Sequence, residues 1–324
     1  MTYAIRIHQT GGPEVLTWEP VGVGAPGAGE VRLRQTAVGL NYIDVYHRNG
    51  LYPTRPPAIL GMEAAGVVEE VGPDVTAFKA GDRVAYVGPP MGAYAEARLM
   101  PADRLVKLPE NISEREAAAV MLKGLTAQYL LRRTYRVQPG DTILVHAAAG
   151  GVGLILCQWA RHLGATVIGT VGSDEKAALA RANGCTHPVV YTREDFQARV
   201  LEITGGGKVP VVYDSVGKDT FMKSLDCLRP FGMMALYGQS SGPVPPFDLG
   251  LLAVKGSLFV TRPTLVTYAA KREDLLAGAQ ELFDVVKSGA VKIRINQTYP
   301  LREAAQAHRD LEARKTTGST VFTV

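Results

Sequence analysis

The chain has 324 residues, 35 basic and 31 acidic, for a formal net charge of +4, and 46% of it is apolar. That length is more than one ordinary core serves, so two lobes are expected in a soluble globular protein. The basic residues are scattered and lack interleaved aromatics, which argues against a dedicated nucleic-acid binder, and no run of ~18 apolar residues exists to form a membrane-spanning helix.

The start, Met1 to Thr10, has no long apolar stretch, and Arg6 and His8 interrupt what reads as a short strand, so neither a secretory signal nor a membrane role is expected and the protein is assigned to the cytoplasm. The first third then offers short strand-like runs, Glu30 to Thr36, Ala65 to Val71 and Arg83 to Val87, broken by turn signals. Closely spaced strands of this kind predict a compact, partly open β-barrel. From about Gly124 the pattern changes to short apolar strands, Thr142 to Val145, Thr166 to Val171, Val209 to Tyr213 and Met233 to Tyr237, with a helical stretch Gly153 to His162 between the first two. Buried strands alternating with helices predict a doubly wound parallel sheet, an α/β fold of Rossmann type. Beyond Pro263 a helix is expected around Lys271 to Ser288, a strand near Val291 to Tyr299, a short helix Arg302 to Ala313 and a last strand Thr320 to Val324, with these final ~60 residues rejoining the first lobe. Cys157, Cys185 and Cys227 are odd in number and widely spaced, which fits reduced, packed thiols better than a disulfide framework or a zinc knuckle.

The sharpest motif is Ala148-Ala149-Gly150-Gly151-Val152-Gly153, which follows the strand Thr142 to Val145 and opens a helix. Gly150 lets the backbone approach a pyrophosphate, Gly153 lets the helix pack close to the strand, and the helix start offers unpaired N–H groups. The first glycine of the usual dinucleotide fingerprint is replaced by Ala148. A glycine-rich connection with no ligand is the plain alternative. Some 20 residues on, where a carboxylate would hold the ribose hydroxyl of NAD, the chain reads Val171-Gly172-Ser173, followed by Lys176. Hydroxyl and ammonium suit a 2′-phosphate, so NADPH is expected over NADH. Asp174 and Glu175 weaken that positive field, and Lys176 could equally be a solvated helix residue.

Several segments in this order resemble one family: Gly39-Leu40-Asn41-Tyr42-Ile43-Asp44, Gly61-Met62-Glu63-Ala64-Ala65-Gly66, Ala80-Gly81-Asp82-Arg83-Val84, Leu122-Lys123-Gly124-Leu125-Thr126 and the glycine turn after His146. Together with Tyr213-Asp214-Ser215-Val216-Gly217, Thr261-Arg262-Pro263 and Glu312-Ala313-Arg314, they look like the medium-chain dehydrogenase/reductase superfamily, and within it the quinone oxidoreductases related to zeta-crystallin. The resemblance implies a GroES-like catalytic domain from residues 1–123 and 264–324, a Rossmann NADPH-binding domain from 124–263, and a homodimer joined through the Rossmann sheets. In the zinc alcohol dehydrogenases of that superfamily a cysteine and a histidine hold the catalytic metal; Asn41 and Met62 stand at the matching positions here, so no metal site is expected. The implied chemistry is hydride transfer from NADPH to a quinone or similar conjugated carbonyl. The alternatives are an enone or enoyl-thioester reductase, and a non-catalytic NADPH-binding or RNA-binding protein on the same fold.

Carried over one at a time, the resemblance puts Asn41, Tyr42 and Tyr46 by the nicotinamide end, and Met62 and Glu63 around the vacated metal position. Lys123 and Thr126 would face the nicotinamide ribose or carboxamide, and Tyr191 the adenine. Ala149, Gly150, Gly151 and Val152 would take the diphosphate, while Gly172, Ser173, Lys176 and Arg314 would surround the 2′-phosphate. Ser215, Val216 and Gly217, then Gly238, Gln239 and Ser240, end strands where a dinucleotide crosses, and Val260, Thr261 and Arg262 would meet the nicotinamide. Asn41, Tyr46, Tyr52 and Lys123 are the catalytic candidates, with Tyr52, Lys123 or water as the proton source. Each has a plain structural alternative: turn or cap for Asn41 and Thr126, core aromatic for Tyr42, Tyr46 and Tyr191, surface charge for Arg314. His146 is read as a satisfied core histidine and Asp44 as a loop anchor.

Overall fold

The computed structural model describes residues 2–324. By its internal contacts the chain forms two compact units, one of Met1–Leu125, Ala269–Phe283 and Ile293–Val324, the other of Thr126–Tyr268 and Asp284–Lys292.

In the second unit six strands lie parallel in the order His187–Val190, Thr166–Val171, Thr142–Val145, Val209–Asp214, Leu228–Leu236 and Phe259–Thr261. The chain starts in the middle, builds outward to one side, then crosses back and builds to the other. This is the doubly wound α/β arrangement the alternating apolar runs predict, and it leaves a topological switch point between Thr142–Val145 and Val209–Asp214. Both of these strands are buried almost throughout, and apart from Thr142 at the start of one and Tyr213 and Asp214 at the end of the other their side chains are apolar on both faces. Leu144, Ile168, Val212, Phe221 and Met234 form one core under the helices Phe196–Ile203 and Phe221–Asp226.

The first unit is built of mostly antiparallel strands. Glu30–Leu40 is its spine, pairing with Glu63–Val71, Ala97–Pro101 and Ser319–Thr323. Arg83–Val87, Leu105–Lys107 and Ile295–Pro300 complete the seven-stranded sheet, and Thr17–Val21, Thr2–Ile7 and Ala58–Ile59 make a smaller one. Where Glu30–Leu40 meets Glu63–Val71 the register shifts twice, with Thr36 the extra residue in the spine and Glu69 the extra residue in its partner, irregularities that bend the strand that carries them.

Several boundaries differ from expectation: the strand expected from Met233 begins at Leu228, the one expected to end at Thr36 runs to Leu40, and three more differ for a local reason. The helix after the glycine turn begins at Gly151 rather than Gly153, because Gly150 takes the extended N-cap conformation and its carbonyl already accepts from Leu154 N–H. The strand expected from Val291 begins at Ile295: Val291 N–H is spent on Val285 O at the end of helix Arg272–Lys287, and Lys292 N–H on the Gln158 side chain. The expected helix from Arg302 is split into a 3₁₀ turn, Leu301–Glu303, and an α-helix, Ala304–Glu312.

Candidate active site

The glycine turn sits on the strand Thr142–Val145 beside the switch point. Ala148 N–H bonds Thr170 O on the neighbouring strand (3.0 Å), and Gly150 N–H closes a turn on Ala147 O (2.9 Å). A Cβ on Gly153 would stand 2.2 Å from Ala147 O and 2.8 Å from backbone atoms of Ala148, so only glycine permits this approach of helix to turn. No side chain caps helix Gly151–His162. The N–H groups of its first turn have no intrahelical acceptors and carry the positive end of the helix dipole, a cradle for a diphosphate.

At the end of the next strand Ser173 caps helix Asp174–Ala182, its hydroxyl accepting from Lys176 N–H at 3.3 Å. Tyr191 N–H bonds Val171 O (3.0 Å) and its ring is partly exposed beside Gly172. On the far side of the switch point, buried Asp214 accepts from Val216 N–H (2.7 Å), Gly217 N–H (3.1 Å) and Thr220 Oγ1 (2.7 Å). The amides of Val216 and Gly217 are therefore engaged within their own loop. Ser240 N–H bonds Ser215 O (3.1 Å), which ties the segment Gly238 to Ser240 to it, with Gln239 between them. Val260 and Thr261 lie on the edge strand, and the Arg262 guanidinium donates to Leu236 O (3.0 Å). Thr126 is buried near Tyr129, whose ring stacks on Tyr268 with centroids 4.4 Å apart.

The first unit holds the other candidates. Asn41 caps helix Tyr42–Arg48 in a capping box with Asp44, whose carboxylate accepts Asn41 N–H at 2.9 Å. Asn41 Nδ2 donates to Glu63 Oε2 (2.8 Å), Lys123 Nζ donates to the same oxygen (3.2 Å), and Leu122 N–H donates to Glu63 Oε1 (2.6 Å). Glu63 is fully buried, and a Cβ on Gly39 would stand 2.2 Å from its Oε2, so the carboxylate occupies space that a glycine leaves open. The rings of Tyr42, Tyr46 and Tyr52 follow one another at 5.4 and 5.1 Å, and Tyr52 N–H bonds Tyr46 O. Burial pushes the Tyr42 phenol up, with Glu312 adding to that and Arg314 and Arg48 opposing it.

Behind the capping box runs a directed chain of hydrogen bonds. The Arg48 guanidinium, clamped by Glu312 at 2.8 and 2.9 Å, donates to His308 Nδ1 (3.0 Å). That leaves the ring proton on Nε2, facing Tyr94 OH at 3.0 Å, and Tyr94 in turn donates to Asp44 Oδ2 (3.0 Å). Burial, with Arg48 second, pushes His308 down to about 3, so the ring stays neutral. Burial pushes Asp44 up to about 7, against the bonds from Asn41 and Tyr94 and the charge of Lys123, with Glu63 adding to the rise.

The structure thus brings Asn41 and Lys123 together through Glu63, and Tyr42, Tyr46 and Tyr52 along one aromatic row. Arg314 follows helix Ala304–Glu312 in the first unit, whereas Ser173 and Lys176 belong to the second. His146 is the satisfied core histidine expected, bonded to Thr170 Oγ1 and Ser224 Oγ at 2.8 Å each. Sequence reasoning did not find the role of Glu63 as a hub, the Arg48–His308–Tyr94 chain, or Asp214 as the organiser of its loop. Only the last left a local signal, an Asp followed by Ser-Val-Gly at a strand end. The donor set around Glu63 does not suit zinc: the carboxylate is filled by three donors, one of them an ammonium, and among the described residues no three His, Cys, Asp or Glu converge as metal ligands.

Comparison with known proteins agrees on this architecture. Residues 27–110 match the family "Alcohol dehydrogenase GroES-like domain", and residues 151–274 match "Zinc-binding dehydrogenase". The chain is 55% identical over 323 residues to a quinone oxidoreductase of Pseudomonas aeruginosa, and 53% identical over 332 residues to a 2-haloacrylate reductase of a Burkholderia species, covering 99% of each chain in both cases. It superposes on the crystal structure of Escherichia coli quinone oxidoreductase complexed with NADPH with a TM-score of 0.98, at 48% identity over 100% of both chains.

Proposed function

Because this chain belongs to the quinone oxidoreductases of the medium-chain dehydrogenase/reductase superfamily, we propose that it transfers hydride from NADPH to a quinone or a similarly conjugated carbonyl, with no zinc in the step. The observation that carries the reading is the uncapped helix start at Gly151, held beside the switch point of a parallel sheet by Gly153, where any Cβ would meet backbone. Amides of this kind suit a diphosphate. NADPH, when bound, supplies the hydride.

In this reading residues 124–263 are the cofactor domain, and 1–123 with 264–324 the catalytic one. Ala149 to Gly153 hold the diphosphate, Ser173, Lys176 and Arg314 the 2′-phosphate beside Gly172, and Tyr191 the adenine. Ser215 to Gly217, Gly238 to Ser240, and Val260 to Arg262 line the path of the dinucleotide. Thr126, Tyr42 and Asn41 flank the nicotinamide, with Tyr46 and Tyr52 beside the acceptor. Asn41 is oriented by Glu63, which takes its Nδ2 and so fixes the amide. Lys123 gives one N–H to Glu63 and retains donors for the acceptor oxygen on which charge collects as hydride arrives. The final proton comes from Tyr52, Lys123 or water, since a reduced quinone needs no committed acid.

A second reading, reduction of an α,β-unsaturated acid or carbonyl at its β-carbon, is favoured by the likeness to the 2-haloacrylate reductase. Both use the same hydride and differ in acceptor. Steady-state oxidation of NADPH with 1,4-benzoquinone, a cyclic enone and 2-chloroacrylate separates them. Quinone turnover with the highest kcat/KM is expected, and no turnover of any quinone defeats the first reading.

The protein is further proposed to act as a homodimer. Phe259–Thr261 is the outer strand of the parallel sheet, with Phe259 and Val260 exposed, and Leu249 and Val254 are exposed in the same unit. An unpaired strand edge with apolar side chains is a pairing surface for a second copy. Among the described residues no helix is long and apolar enough to cross a membrane. The three free, buried thiols suit the reducing cytoplasm.

A further inference from the structure

The segment meant for a 2′-phosphate carries a contradiction in its charges. Between Gly172 and Lys176 there are two carboxylates, Asp174 and Glu175, and one ammonium, so the local balance opposes a dianion. The structure brings in a second cation from the next strand end. Two strand ends are laced together by successive bonds: Tyr191 N–H to Val171 O (3.0 Å), Thr192 Oγ1 to Gly172 O (3.5 Å), and the Arg193 guanidinium to both oxygens of Asp174 (2.7 and 2.5 Å). The last is a two-pronged pair with both side chains well exposed.

An exposed pair contributes little to stability, so this one is poorly explained as a brace. Its position gives it another use. We propose that Arg193 is a specificity-determining residue for the cofactor: by engaging both oxygens of Asp174 it masks the carboxylate that would otherwise repel the 2′-phosphate of NADPH. The inference rests on the NADPH reading above and adds to it a residue outside the set expected to touch the phosphate. The Arg193 fork also fixes where the Asp174 carboxylate points, because bidentate pairing defines both distance and plane. Glu175 is engaged separately, held low by the Ser173 hydroxyl. With Asp174 masked, the remaining charges of Glu175 and Lys176 balance, so Arg193 takes the segment from net negative to neutral and removes its net repulsion of a dianion.

The test uses the full chain and compares dissociation constants for NADPH and NADH at low ionic strength, with 2′,5′-ADP and 5′-AMP as probes of the adenosine end alone. One unit of charge beside a dianion corresponds to about a tenfold change in affinity. Arg193→Gln is therefore expected to cut the NADPH-over-NADH preference about tenfold, with NADH binding unchanged as a control for folding. Asp174→Asn is expected to leave the preference intact or raise it, and the double variant to restore the wild-type ratio within about twofold. A preference unmoved in Arg193→Gln overturns the masking role, as does a double variant as poor as Arg193→Gln, because Arg193 would then act on the phosphate directly. A wild-type chain that binds both cofactors equally overturns the NADPH reading itself.

Discussion

Glu63 and Lys123 form an ion pair 3.2 Å apart, in which the carboxylate is fully buried and the ammonium side chain only 6% exposed. Both charges have left water, and their attraction plus the bonds from Asn41 and Leu122 must offset that desolvation. Lys123→Met strands a buried carboxylate, and a loss of about 3–5 kcal/mol is expected in urea unfolding. The double variant Glu63→Gln, Lys123→Met removes both charges and should be the more stable of the two. If Lys123→Met unfolds at the wild-type urea concentration, the pair does not bear on stability in the way its burial implies.

The glycine turn makes a graded prediction. A Cβ at Gly153 meets backbone at 2.2 Å, whereas one at Gly150 meets its nearest neighbour, Ala147 O, only at 3.1 Å. Gly153→Ala must push the helix off the turn. It should cost about 1–3 kcal/mol as overpacking does, and it should raise the NADPH dissociation constant more than tenfold. Gly150→Ala should do less of both. Fluorescence titration with NADPH checks the order, and equal affinities for the two variants would break the link between close packing and the diphosphate cradle.

These two regions differ in how far the sequence alone exposes them. The strands Arg83–Val87, Thr142–Val145 and Thr166–Val171 coincide with the apolar runs that predict them, because a buried strand writes its burial into consecutive residues. The glycine turn is legible for the same reason: its steric demand falls on adjacent positions. Glu63 finds Asn41 at a separation of 22 residues and Lys123 at 60, and Arg48 meets His308 across 260. No period or spacing encodes such partners; they exist only after the sheets are assembled. Asp174 and Arg193 lie between these extremes, 19 residues apart and joined only because their two strands pair in parallel register.

The aromatic row suggests a test of the proton source. Tyr52 is packed on Tyr46, and its backbone N–H is bonded to Tyr46 O. If the reduced acceptor takes its proton from water, Tyr52→Phe should keep the row and retain kcat within about tenfold for a quinone. A larger fall with an enone than with a quinone would assign the phenol to the more demanding protonation. A fall of a thousandfold with both would make Tyr52 a committed acid.

The exposed edge strand Phe259–Thr261 makes the dimer testable. Val260→Lys puts a charge on an edge that a second copy would have to cover, the device by which natural sheets prevent such pairing. The variant should sediment as a monomer where the wild type sediments as a dimer. A wild-type chain that is monomeric at micromolar concentration removes the proposed interface.

The chain from Arg48 to Asp44 predicts opposed pH dependences in one small network. Asp44 is pushed up to about 7 by burial, so the folded state holds its proton where the unfolded state has lost it. Its stability contribution is present below the unfolded value near 4 and is lost as pH rises through about 7. His308 is pushed down to about 3 by burial and Arg48, so its contribution is present above the unfolded value near 6.5 and is lost as pH falls toward 3. Between about pH 4 and 6.5 the two slopes are of opposite sign, each about 1.4 kcal/mol per pH unit, and offset one another in the wild type. Asp44→Asn keeps an oxygen able to accept from Asn41 and Tyr94 but cannot titrate. Urea unfolding at pH 4.5, 5.5 and 6.5 should therefore show the stability of Asp44→Asn rising with pH relative to wild type, while His308→Gln falls relative to it. Curves that run parallel to wild type in both variants would mean that neither group changes its protonation on folding.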